Sequence, residues 1–250
     1  MIRIEGLAKR LGRKQVLDGV ELEIPTGCTM VVMGQSGTGK SVLLKHIIGL
    51  MQPDAGRIEV DGTVITGMGE HALNEVRKRF GMLFQGAALF DSLSVGENIA
   101  LPMREHTGMS EDGIRARVAE RLDWVGLPGI EDMKPASLSG GMRKRVGLAR
   151  AIAMDPAYIL YDEPTTGLDP IMSDTINRLI RSLQSRIGVT SIVVTHDLHS
   201  AFAVGDRIAM LHGGKVVFTG TTDETRTTTD ARVRQFIEGS SVGPLTNGVA

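Results

Sequence analysis

Cysteine is almost absent: with Cys28 alone in 250 residues no intrachain disulfide can form, so the chain is not a disulfide-framed secreted scaffold. Long hydrophobic runs are missing too. No stretch approaches the roughly 18 apolar residues needed to cross a bilayer, and the N-terminal MIRIEGLAKR lacks the apolar core of an export signal. Nor is there an excess of charge of one sign. The 28 basic and 29 acidic side chains leave a formal net charge of −1, which argues against a chain whose main task is to coat nucleic acid or anionic lipid. At 42% hydrophobic the chain can fill a substantial core as one large domain or two intimately packed ones, and disorder is excluded as its dominant state. What it has in excess is glycine. There are 31, where ordinary usage gives roughly 18, and that surplus points to turns and close backbone approaches to a ligand.

From Met1 to about Gln85 short strand-like runs alternate with turns. Val20–Ile24 alternates apolar and charged residues, as a half-exposed antiparallel strand does, whereas Cys28–Met33 is a near-continuous apolar run ending at Gly34, the pattern of a strand buried on both faces. A helix is predicted from about Gly39 to Leu50. From roughly Gly86 to Pro156 the chain reads as a helical insert: Ser110 can cap a helix whose Ile114, Val118, Leu122 and Val125 recur at helical spacing, with Arg115, Arg117, Glu120 and Arg121 on the outer face. Strand-like runs return at Ala157–Tyr161, Ser191–Thr195 and Arg207–Leu211, around a helix-like Ser173–Arg186. Strands alternating with helices imply an α/β fold with a largely parallel sheet. Residues 1–238 read as one domain. The last dozen, 239–250, read as a flexible or partner-binding tail. The basic clusters Arg77–Arg79 and Arg143–Arg145 read as solvated helix faces.

Gly34-Gln35-Ser36-Gly37-Thr38-Gly39-Lys40-Ser41 matches G-x-x-x-x-G-K-[ST] and lies between a buried strand and a helix, the context a phosphate-binding loop requires. Its glycines let successive N–H groups turn toward phosphate oxygens, and the helix adds its positive N-terminal end. Lys40 supplies a point charge for the β and γ phosphates, and the Ser41 hydroxyl can ligate Mg²⁺. Tyr158–Asp162 is an apolar strand that closes on two carboxylates, Asp162 and Glu163. Asp162 suits a metal held through its water shell, and Glu163 suits a general base that polarises an attacking water. Alone, such a strand end is as readily a pair of ordinary surface acids. Leu138-Ser139-Gly140-Gly141-Met142 resembles a second phosphate-binding helix start, with a hydroxyl and glycine N–H groups.

In this order these elements resemble the nucleotide-binding subunit of ABC transporters over nearly the whole chain, with the family signature LSGGQ present as LSGGM. The resemblance implies a P-loop NTPase (RecA-like) ABC ATPase core, an antiparallel β subdomain and an inserted α-helical subdomain at about 86–156. It implies that Gln85 is the Q-loop glutamine at the metal, that Gly167-Leu168-Asp169 is the D-loop, and that His196 is the switch histidine. It implies a head-to-tail homodimer binding two MgATP, in which Ser139, Gly140 and Gly141 of one copy cap the nucleotide of the other, and hydrolysis with Glu163 as base. Two positions depart from the pattern. Leu11 stands about where the family stacks an aromatic ring on adenine, with Arg10 as the neighbouring planar group, and Met142 replaces the signature glutamine.

The stretches 77–90, 102–107 and 230–239 resemble the ATPase of the Mla/Mce-type phospholipid transporters. That branch implies a peripheral subunit on the cytoplasmic face of a bacterial inner membrane, partnered by an integral permease, an MCE-domain protein and a STAS-domain protein. It also implies a groove near Gln85–Phe90 for the permease's coupling helix. The alternative is an importer ATPase for amino acids or another small solute. A nucleic-acid-associated ABC ATPase is disfavoured by the near-neutral charge and single cassette, and no nucleic-acid partner is expected. A non-hydrolysing scaffold is disfavoured by the presence of Glu163 and His196.

Overall fold

The computed structural model describes residues 1–246. Its elements begin with β1 (Ile2–Leu11), β2 (Lys14–Ile24), β3 (Thr29–Met33), α1 (Lys40–Ile47), β4 (Ala55–Val60), β5 (Thr63–Val64), α2 (Glu70–Arg77) and β6 (Phe80–Leu83). There follow α3 (Val95–His106), α4 (Glu111–Trp124), α5 (Gly140–Ala151), β7 (Tyr158–Asp162), α6 (Pro170–Ile187) and β8 (Thr190–Thr195). The last are α7 (Leu198–Val204), β9 (Arg207–His212), β10 (Lys215–Thr221), α8 (Thr222–Thr227) and α9 (Ala231–Glu238). Two compact units form, Met1–Gly69 with the residues from Ile192 onward, and Glu70–Ser191. Among the described residues no helix is long and apolar enough to cross a membrane.

In the first unit β2-β1-β4-β5 make an antiparallel sheet. Ile2 pairs with Ile24 on one side and Val60 on the other, and Ile4 with Leu22 and Ile58. All six are buried, because the two-residue period of a strand sends alternate side chains to one face. The alternation expected at Val20–Ile24 is the end of β2, with Glu21 and Glu23 exposed between buried neighbours. β3 is buried at every position and runs parallel to β9, Met30 beside Arg207 and Met33 beside Met210. The order in this unit is β10-β9-β3-β8. α9 ends at Gly239, which is left-handed at φ 65°, and the chain then folds back on it. The Gln235 side chain accepts from Leu245 N at 2.7 Å and donates to Ser240 O at 3.1 Å, which buries Leu245. Of the tail expected at 239–250, residues 240–246 thus pack on α9, and 247–250 lie outside the described residues.

In the second unit β6 and β7 are parallel, Phe80 beside Tyr158 and Leu83 beside Tyr161. α5 lies against β6, and Gly81 permits it: a Cβ there would sit 2.0 Å from Ala151 O. Ser110 caps α4 by accepting from Gly113 N at 3.2 Å, and Ile114, Val118 and Leu122 are buried as their spacing predicts. Arg121 corrects the expected outer face of α4, since it is 1% exposed. Asp155 Oδ1 accepts from its guanidinium at 2.5 Å, and the Trp124 ring centroid lies 3.9 Å away, so a charge partner and an aromatic face replace water.

Candidate functional site

The sequence-predicted phosphate loop is built in the first unit. β3 stops at Met33, and Gly34 turns the chain at φ 158° so close to the neighbouring backbone that a Cβ would lie 2.4 Å from Leu211 O. The Thr38 hydroxyl donates to Gln35 O at 2.9 Å, while Gln35, Ser36 and Gly37 face solvent. α1 starts at Lys40 with Gly39 as its N-cap, and no side chain caps it. A helix start capped by no side chain and preceded by a glycine loop presents its N–H groups and dipole to an anion. Lys40 is 6% exposed, and its ammonium donates to Gly34 O at 2.9 Å and Gln35 O at 3.1 Å. The cation is therefore fixed on the loop and does not wander in solvent. Ser41 is half-buried in the first turn, and His196 is exposed just past β8 in the same unit.

The remaining predicted residues belong to the second unit. Asp162 ends β7 half-buried, and Glu163 follows, buried, at φ 48°, a left-handed backbone uncommon for a residue with a side chain. The Thr166 hydroxyl donates to Glu163 Oε2 at 3.2 Å. Ser139 is the N-cap of α5, accepting from Met142 N at 3.2 Å. Gly140 is exposed and lies in contact range of Leu168, whereas Gly141 is buried where a Cβ would meet Met172 Cε at 2.3 Å. Asp169 caps α6 by accepting from Ile171 N at 2.9 Å and Met172 N at 3.0 Å. The structure thus packs the start of α5 against the turn containing Asp169.

Gln85 is exposed in the segment after β6, where Ala87 and Ala88 are both left-handed, at φ 62° and 49°. α5 holds this segment. Arg150 donates to Ala87 O and Ala88 O, each at 2.7 Å, and Lys144 donates to Gln85 O and, at 3.2 Å, to Glu163 O. The solvated face expected at 143–145 holds at Arg143, which is exposed, and is corrected at Lys144, which is buried, with Arg145 half-buried between the two cases. Lys144 is 5% exposed, Arg143 donates to Leu138 O at 2.7 Å, and Arg145 donates to Val125 O and Gly126 O beyond the end of α4. Around Lys144 backbone carbonyls take the place of water. Burial pushes the Lys144 ammonium below the usual lysine range, and the Asp162 and Glu163 carboxylates oppose that shift. Spacing alone does not single out Lys144 or Arg150, although a lysine three residues past Gly141, in the first turns of a glycine-rich helix start, is a readable signal.

Beside Gln85 a cavity of about 880 Å³ opens, lined by Phe84, Phe90, Leu101, Pro102, Met154 and Arg150 among others, with His71 and Glu75 also in its wall. In the first unit Leu11 is 42% exposed at the end of β1, and Arg10 Nε lies 3.4 Å from Gln15 Oε1. Among the described residues no group of three or more His, Cys, Asp or Glu side chains gathers as a metal cage. Magnesium needs none, since it keeps much of its water and binds through one or two hard oxygens plus phosphate. The Ser41 hydroxyl and the Asp162 carboxylate are donors of that chemistry.

The ABC transporter family profile matches residues 17–166. The Mycobacterium leprae (strain TN) "Probable ribonucleotide transport ATP-binding protein mkl" is 44% identical over 98% of this chain and 70% of its own length. The "Intermembrane phospholipid transport system ATP-binding protein MlaF" of Haemophilus influenzae is 42% identical over 98% of this chain and 93% of its own. Among solved structures, the ATP-binding cassette MJ0796, a dimer in a post-hydrolysis state bound to ADP and Pi, superimposes with a TM-score of 0.82 at 33% identity, covering 89% of this chain and 99% of that one.

Proposed function

The chain belongs to the ABC transporter family, and from that premise we propose that it is the ATP-hydrolysing subunit that powers phospholipid transport across a bacterial envelope. The observation that carries the ATPase reading is the Gly34–Ser41 loop itself, an α1 start that no side chain caps with a buried ammonium fixed beside it. Likeness to MlaF over 98% of the chain supports the phospholipid cargo, together with the stretches at 77–90, 102–107 and 230–239. The ribonucleotide cargo in the name of the mycobacterial relative describes that protein.

In this reading the loop N–H groups and Lys40 bind the ATP phosphates, and Gln35, Ser36, Gly37 and Thr38 shape the cradle. Ser41, Asp162 and Gln85 would hold Mg²⁺, which would supply charge neutralisation for the ATP phosphates. Glu163 accepts a proton from the attacking water and aims it. His196 contacts the γ-phosphate. Ser139, Gly140 and Gly141 cap the nucleotide of a second copy in a head-to-tail homodimer, and Asp169 belongs to the same interface. Phosphoryl transfer is mostly positioning and charge stabilisation, so each member carries a large share.

The subunit sits at the cytoplasmic face of the inner membrane, held by an integral permease whose cytoplasmic helix enters the cavity beside Phe84 and Phe90. An MCE-domain protein and a STAS-domain protein complete the assembly. The test is purification of the tagged chain from its native membranes in mild detergent, with co-purifying proteins and lipids identified by mass spectrometry. Permease, MCE-domain protein and phospholipid are expected. A solute-binding protein with a small-solute permease would overturn the cargo while leaving the ATPase.

A further inference from the structure

Lys144 is the one member of the α5 basic cluster whose ammonium reaches two residues of the proposed catalytic apparatus. It donates to the main-chain carbonyl of Gln85 and, at 3.2 Å, to that of Glu163, from a site only 5% exposed. Burying an ammonium costs several kcal/mol unless its hydrogen bonds are replaced. Here the replacements are not arbitrary. Both acceptors lie at bends with unusual backbone: Glu163 is left-handed at φ 48°, and the segment opened by Gln85 continues through left-handed Ala87 and Ala88. Such conformations are unfavourable for residues with side chains and persist only where surroundings over-determine them. Arg150, on the same helix, braces the two alanines through their carbonyls, while Lys144 reaches Gln85 and Glu163.

We infer that Lys144 is a positioning residue for hydrolysis: from the helix that begins at Ser139, its ammonium fixes the backbone of Gln85 to the backbone of Glu163, and so sets where both side chains point. It touches no substrate and acts through those two residues, and the inference rests on the assignment of Gln85 and Glu163 made above.

The test compares Lys144→Met and Lys144→Arg in the full chain by ATP turnover, equilibrium ATP binding, and amide hydrogen exchange of segment 84–90 without nucleotide. Lys144→Met is expected to lose on the order of 10- to 100-fold in turnover, as a misplaced catalytic group does. ATP affinity is expected to stay within about threefold, since ground-state binding is not what Lys144 supports. Exchange over 84–90 should quicken. Lys144→Arg, which keeps a buried multidentate donor, should recover most of the turnover and the slow exchange. Met turnover within about twofold of the parent overturns the inference, as do unchanged exchange at 84–90 or an Arg variant no better than Met. If Lys144→Met does not fold, Lys144→Gln, whose neutral amide can donate to one carbonyl but lacks the charge, carries the same comparison and should turn over more slowly and exchange faster at 84–90 than Lys144→Arg; parity with Lys144→Arg overturns the inference. A parent chain that does not hydrolyse ATP removes the hydrolase reading instead, and the exchange comparison alone then decides whether Lys144 braces the two backbones.

Discussion

Thr166 donates its hydroxyl to Glu163 Oε2 across 3.2 Å, so the carboxylate following β7 is aimed by the turn that it opens. The carboxylate is thus held by its own loop while its backbone is held from α5. This division separates two substitutions. Glu163→Gln keeps the shape and removes the base, so ATP binding should persist while turnover drops by about 10²- to 10⁴-fold. Thr166→Val leaves the base and loosens its aim, and should cost less than about tenfold. Single-turnover hydrolysis measures both. Parent-level turnover in Glu163→Gln would remove Glu163 from the role.

Gly34 is where the fold and the site meet. A methyl there must displace the Leu211 carbonyl, 2.4 Å from its Cβ position, in the strand beside β3. Gly34→Ala is therefore expected to cost about 1–3 kcal/mol of stability and to weaken ATP binding at the same time, because the carbonyl that holds Lys40 moves with it. Urea denaturation and equilibrium nucleotide binding give the two numbers. An unshifted midpoint would show that the strand yields without cost.

The parts of this chain legible in the sequence are those whose pattern is dictated by burial on both faces or by a ligand. β3 and β7 are fully or almost fully buried, so they show as apolar runs, and the loops after them carry a glycine-rich motif and a pair of carboxylates that stand out from those runs. α2 was not legible, because Leu73 is its single buried residue and one apolar position makes no period. Charge was the other blind spot. Arg121 and Lys144 look on paper like outward-facing cations, and only the positions of Asp155, Trp124, Gln85 O and Glu163 O show why they are buried. Partners distant in sequence decide such residues, and a periodicity count does not see them. The same holds for Asp169, whose capping of α6 was readable from the following Pro170 but was overshadowed by its place in the D-loop motif.

Leu11 offers an exposed apolar side chain at the position the family resemblance assigns to the adenine contact. Leu11→Tyr should add stacking worth about 0.5–1.5 kcal/mol, tightening ATP binding by up to roughly tenfold with little effect on turnover at saturation. Titration with ATP and GTP in parallel reads the effect. Equal affinity of parent and variant for both nucleotides would place the base elsewhere.

Asp230 caps α9, accepting from Arg232 N at 2.9 Å and Val233 N at 3.3 Å, and pairs with the Arg232 guanidinium at 2.6 Å. The Arg232 side chain leads in pushing its carboxyl down to about 2. A folded-state value below the unfolded one of about 3.9 makes the stabilisation fully present above that pH, and it is lost as pH falls through the folded value. Asp230→Ala should therefore cost about 1 kcal/mol at neutral pH. The difference from the parent should begin to shrink below about pH 4, followed by urea midpoints between pH 7 and 3. A difference independent of pH would mean that the helix cap acts without its charge.

Phe90 is 53% exposed in the wall of the 880 Å³ cavity, with Phe84 and Met154 beside it, an apolar surface that water does not favour. Its backbone N–H donates to Asn98 Oδ1 at 2.8 Å and its carbonyl accepts from Asn98 Nδ2 at 3.1 Å, so the loop is fixed from α3 by main-chain contacts. A side-chain change at 90 should consequently leave the loop in place. Phe90→Asp replaces an apolar anchor of the surface proposed for the permease helix with a hydrated carboxylate, removing the aromatic contact and adding a desolvation cost on docking. Co-purification with the permease should fall by more than about tenfold, while ATP binding by the isolated chain stays at the parent level. Because the nucleotide residues are untouched, retention of the permease by Phe90→Asp would reject this cavity as its seat without disturbing the ATPase assignment.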